Sequence, residues 1–203
     1  MAAVSQTIVR EYFEVHGFLV RQHRKYLAPA QTRDEDDVDF FVQNPKPVQC
    51  PDGLPFVLGT EDLPFVDKAV VVVKAWHTET FSLSLLTHTP KIVRFVESKG
   101  FQQAAKGFAA GGNLLKILVV PALPQTAAAR DQSIALLRSK GLDAVIPFHT
   151  ILAALIRQTE PTRNYQQSDL LQLIRLLKNY DFFKEPQLEL FKPRRKSPKA
   201  PES

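Results

Sequence analysis

From Phe18 to Leu27 the side chains alternate, and this stretch gathers Arg21, His23, Arg24 and Lys25 with Tyr26 beside them. Guanidinium and ammonium groups spaced along a strand meet a phosphate backbone by charge, and an aromatic ring offers a base a stacking face. Arg21, Arg24 and Lys25 are therefore candidate contacts to DNA or RNA. A basic strand face that discourages edge-to-edge pairing accounts for the same residues equally well. Two further ionisable groups stand on strand-forming runs. They are Asp39, in Asp37-Val38-Asp39-Phe40, and Lys74, at the end of Val70-Val71-Val72-Val73.

Other clusters carry less. The run Arg33-Asp34-Glu35-Asp36-Asp37 lacks the glycine and spacing of a calcium loop and reads as a solvated turn. His77 and Glu79 have no partner at a metal-ligand spacing, because His88 and His149 lie far off in sequence. Ser82 and Ser84 are outside any nucleophile elbow, and Cys50 has no nearby histidine. Gly111-Gly112 precedes a strand, whereas a phosphate loop follows one.

The elements that position these groups follow from periodicity. Ser5 reads as the cap of a first helix with Ile8, Val9, Tyr12, Phe13 and Val15 at helical spacing, stopped by Gly17. Strands are expected at 18–27, 38–43, 69–76, 114–120 and 144–148. Helical turns are expected at 81–86, 90–96 and 101–109, and helices at 126–140, 150–158 and 168–180. Prolines and glycines between Pro45 and Pro64 mark a long irregular loop, read as a lid, a binding loop or an insertion. The strand, helix, strand unit from 114 to 148 implies parallel pairing.

This order of helix, three strands, helix, strand, helix, strand, with Asp39 and Lys74 on the second and third strands, resembles the PD-(D/E)XK, restriction-endonuclease-like superfamily over residues 5–150. The resemblance implies an α/β fold with a mixed central sheet flanked by helices, an αβββαβαβ core and added C-terminal helices. It implies a magnesium- or manganese-dependent phosphodiesterase in which Asp39 and an accessory helix acid, Glu14 or Glu11, hold the metal. Lys74 would then orient or activate the nucleophile. The family places its second acid two residues before the lysine, on the same strand face. Here that residue is Val72. Asp39 and Lys74 also have a plain reading, as a strand-edge carboxylate and a lysine snorkelling from a buried strand.

Composition bounds the rest. With 203 residues, 44% of them hydrophobic and 23% charged, the chain is long enough for one full core. Residues 1–191 are expected as one domain, with the core at 5–150 and helices at 150–183, followed by a disordered basic tail at 192–203. The tail's Lys192, Arg194, Arg195, Lys196 and Lys199, set against Glu202, hold +4 of the net +5, so the fold itself is nearly neutral. Such a tail binds nucleic acid non-specifically or simply solubilises. The longest apolar runs fall short of the roughly 20 residues of a membrane helix, the start lacks a secretory pattern, and the single cysteine excludes an internal disulfide. A cytoplasmic protein without membrane contact is expected, with a homodimer among its open oligomeric states. Three functional readings stand: a metal-dependent nuclease; a catalytically inactive relative that binds nucleic acid or protein, favoured by Val72; and a small-molecule enzyme with a pocket at the carboxyl ends of strands 69–76 and 114–120.

Overall fold

The computed structural model describes residues 2–22, 38–50, 53–97 and 114–183. It is α/β, with a five-stranded mixed sheet in the order β1-β2-β3-β4-β5. The strands are β1 (Leu19–Gln22), β2 (Phe40–Gln43), β3 (Lys68–Val73), β4 (Leu114–Val120) and β5 (Ala144–Pro147). β1, β2 and β3 form an antiparallel meander, while β3, β4 and β5 run parallel. The helices are α1 (Ala2–Val15), α2 (Leu83–His88), α3 (Ala127–Ser139), α4 (Phe148–Gln158) and α5 (Asp169–Asn179). The segment expected as a helix at 101–109 and the tail at 192–203 lie outside the described residues. The chain divides into two compact units, Met1–Thr159 and Glu160–Ser203.

In the first unit, α1 buries Val9, Tyr12 and Phe13, the stripe its spacing dictates. The helix stops where Gly17 takes φ +82°. Gly17 N–H then donates to Glu14 O and Phe18 N–H to Phe13 O, each at 3.0 Å. The Phe13 and Phe18 rings meet edge-on at 5.3 Å. Two reversed hydrogen bonds with an apolar contact across them form a Schellman stop, which aims the chain directly into β1. Ser5 does not cap this helix. The helix begins at Ala2, and Ser5 lies within it, buried.

Strands β3, β4 and β5 are buried on both faces, as parallel strands between helical layers must be. One face carries Val72, Leu118, Val120 and Val145, in a core shared with Phe81, Leu86 and Leu137 from the α2 and α3 side. Alternation turns Val71, Ile117, Val119 and Ile146 the other way. On that side α1 and α4 pack together, α1 against β3 and α4 against β5.

The long loop is structural over part of its length. Val145 N–H donates to Phe56 O at 2.7 Å, and Leu58 N–H donates to Val145 O at 2.9 Å. Residues 56–58 thus pair along β5, and both Phe56 and Leu58 are buried. Without them β5 would offer an unpaired sheet edge.

In the second unit, Ser168 Oγ accepts from Leu171 N–H at 3.2 Å and caps α5. Arg175 Nε donates to Pro161 O at 2.9 Å, and Tyr165 N–H donates to Gln172 Oε1 at 3.3 Å. These bonds lay the segment before the helix along its side.

Candidate functional site

Asp39 stands immediately before β2, and its backbone N–H donates to Val71 O at 3.1 Å. Past this point β2 supplies no carbonyl to the last amide of β3. The Asp39 side chain takes that place: Oδ2 accepts from Val73 N–H at 2.7 Å. Its other oxygen, Oδ1, accepts from Gln6 Nε2 on α1. One carboxylate therefore joins a helix and two strands, and answers an N–H that would otherwise lack a strand partner.

Lys74 follows at the same end of the sheet. Its backbone N–H donates to Val119 O at 3.1 Å, so the parallel ladder with β4 continues through it. Lys74 is half-buried, one residue past the end of β3, while the Asp39 carboxylate is engaged by Gln6 of α1. Val72, two residues earlier, is 1% exposed within the apolar cluster with Phe81, Leu118 and Val145. The position where the resemblance would place a second acid is thus held by a core side chain.

Glu14 is not beside Asp39. The turn of α1 that reaches the carboxylate is the one bearing Gln6, and Glu14 lies eight residues further, about 12 Å along the axis. Glu14 pairs with Arg10 at 2.8 Å on the helix surface, and this hydrogen bond with the carboxylate charge raises the Arg10 pKa. Glu11 lies on the same later turns. Among the described residues, no group of three His, Cys, Asp or Glu side chains is arranged to hold a metal ion. Arg21 is exposed on β1 opposite Phe41, while Arg24, Lys25 and the acidic run 33–37 lie outside the described residues.

Next to Asp39 the structure adds two residues that the sequence did not single out as a pair. Ser5 Oγ lies 2.9 Å from His77 Nε2, and the His77 ring packs edge-on against Phe148 at 4.5 Å. Ser5 and Gln6, from adjoining positions on α1, thereby fasten the end of β3, the connection after it and the start of α4. These contacts span 72 and 33 residues of sequence, so no local spacing announces them.

Further along α1, two groups are shifted by burial. Tyr12 is pushed up to about 12 by burial, against a hydrogen bond to Thr60 and with Glu61 and Asp62 adding to the rise. The Tyr12 hydroxyl donates to Thr60 Oγ1 at 3.5 Å. His16 is lowered by burial, opposed by its bond to the Tyr12 carbonyl. Its Nδ1 lies 2.6 Å from Tyr12 O and its Nε2 lies 2.8 Å from Gln158 Nε2. A carbonyl only accepts, so Nδ1 carries the proton and Nε2 receives the Gln158 amide.

Among the described residues no helix is long and apolar enough to cross a membrane. Comparison with protein-family models, curated proteins and solved structures returns no match.

Proposed function

We propose that this chain is a restriction-endonuclease-like domain that lacks its metal centre and acts as a nucleic-acid-binding module. The order α1, an antiparallel β1-β2-β3 meander, α2, β4, α3, β5 supports the restriction-endonuclease-like reading of the sheet.

The observation that carries the loss of catalysis is the engagement of Asp39. Both of its oxygens accept N–H bonds, from Gln6 and Val73, and the neighbouring position is the buried Val72. Magnesium prefers several oxygen ligands in near-octahedral geometry, and a single carboxylate does not supply them. The described residues do not fit the metal that the family resemblance implies, and no chemical step is drawn through one.

Binding is supported by the basic run that begins at Arg21, which stands exposed on the edge strand β1 and continues in sequence through His23, Arg24 and Lys25. The test is fluorescence anisotropy on single- and double-stranded DNA and RNA across a salt series, alongside cleavage assays with magnesium and manganese. The expected result is binding that weakens steeply with salt, is reduced by joint substitution of Arg21, Arg24 and Lys25 with alanine, and leaves the nucleic acid intact. Absence of binding to every form sinks the proposal. Metal-dependent cleavage abolished by Asp39→Ala would instead establish the nuclease.

A further inference from the structure

Among the described residues of the second unit, α5 carries an outward apolar stripe. Leu173 is 53% exposed, Leu176 42% and Tyr180, the residue that ends α5, 74%. Asp169, Leu173, Leu176 and Tyr180 succeed one another at intervals of four, three and four residues, the spacing of a coiled-coil seam. Leu171 and Ile174 are the buried positions of the same helix.

The end of α5 is fixed rather than frayed. Asp181 adopts φ +57°, Asp181 N–H donates to Lys178 O at 3.1 Å, and Phe182 N–H donates to Leu177 O at 2.9 Å. This is the same Schellman stop that ends α1, built here on a non-glycine residue. It sets Phe182 and Phe183 beside Tyr180 at one end of the stripe, all three exposed. Exposed leucines continued by exposed aromatic rings make a contiguous apolar patch of the kind that marks an interaction site.

We propose that this stripe is the contact between two copies of the chain, paired antiparallel about a two-fold axis. A two-fold interface must be self-complementary, and the stripe is. It has a carboxylate at one end, a phenol at the other and two leucines between. Antiparallel pairing sets Leu173 against the partner's Leu176. It also sets Asp169 against the partner's Tyr180, whose hydroxyl donates to the carboxylate. Parallel pairing would oppose each Asp169 to its own copy, like charge against like. A single seam of this length stays in the small interface class, under about 1,200 Å² in total, so association depends on concentration. The inference stands apart from the reading of the sheet.

Sedimentation velocity on the full chain tests it. Across a concentration series the average mass rises from one chain toward two, and Leu173→Asp with Leu176→Asp, both exposed sites that leave the helical circular dichroism unchanged, abolishes the rise. Register is read by disulfide formation in a Cys50→Ser background. Chains carrying Asp169→Cys mixed with chains carrying Tyr180→Cys cross-link. Neither does so alone, because the two ends are about 16 Å apart along the axis. A full chain that stays monomeric throughout overturns the proposal, as does self-cross-linking of Tyr180→Cys. It also falls if association appears only in a chain ended after Phe183, since residues 187–191 (Gln-Leu-Glu-Leu-Phe) would then be the segment that covers the stripe.

Discussion

The carboxylate of Asp39 accepts the backbone N–H of Val73 at 2.7 Å, while its second oxygen accepts from Gln6 on α1. A carboxylate reserved for catalysis is commonly a burden on stability, but this one completes the hydrogen bonding of a strand end. Asp39→Ala should therefore destabilise by about 1–3 kcal/mol, because it leaves two donors unanswered in a half-buried place. Asp39→Asn retains an acceptor oxygen and should lose less. Urea denaturation midpoints decide the matter: an alanine variant as stable as the parent would return Asp39 to a purely functional role.

Val72 supplies a second measurement. Val72→Ala only removes methyl groups from a packed site, at a cost of about 2 kcal/mol. Val72→Asp, which restores the acid of the resembling family, instead puts an unpaired carboxyl among Phe81, Leu118 and Val145. About 3–5 kcal/mol of stability should be lost. Manganese should not restore it, since the described residues hold no matching set of ligands. Thermal melts with and without manganese give the comparison. A Val72→Asp protein whose melting temperature rises with manganese would show that a latent metal site exists there.

Much of the scaffold was legible because its signals are local. The unbroken apolar runs of β3 and β4 mark strands covered on both faces, and Gly17, Gly141 and Ser168 punctuate their helices through their own backbone and side-chain chemistry. What failed was anything decided across the sheet. Helical periodicity gave Ile8, Val9, Tyr12, Phe13 and Val15 as the apolar side of α1, of which Val9, Tyr12 and Phe13 are buried and Val15 is exposed, but nothing in it tells which turn reaches the end of β3. The family resemblance put Glu14 or Glu11 with Asp39 as an accessory acid, and the helix residue bonded to Asp39 is Gln6. Ser5 has the right chemistry for a cap, yet its hydroxyl serves His77, 72 residues away. The loop after Pro45 read as a lid, a binding loop or an insertion because proline and glycine reveal irregularity, not the strand edge that Phe56 and Leu58 cover.

His16 gives a pH dependence whose sign follows from its surroundings. Burial lowers its pKa in the fold, and the Gln158 amide faces Nε2, where a second proton would sit. The unfolded chain takes that proton near the ordinary value of about 6.5, while the folded chain takes it only at lower pH. The contribution is therefore complete above about pH 6.5 and is lost as pH falls from there toward the lowered value. Stability measured by urea unfolding between about pH 5 and 7 should fall toward the acid side, with a shallower slope in His16→Gln. Equal slopes in the two proteins would mean that His16 titrates alike in both states.

Leu58 tests whether the loop after β2 is a cover for the sheet. Its N–H donates to Val145 O and its side chain is buried, so two substitutions separate the contributions. Leu58→Met keeps the volume and the amide, and should cost less than about 1.5 kcal/mol. Leu58→Pro removes the amide, leaves the Val145 carbonyl unanswered and pushes residues 56–58 off β5, at a cost of about 3 kcal/mol or more. An uncovered β5 then presents free backbone groups to other molecules, so light scattering during refolding should rise with protein concentration in the proline variant alone. Refolding of Leu58→Pro without scattering, at an unchanged denaturation midpoint, would mean that β5 is protected by some other part of the chain and that this loop is free to serve a ligand.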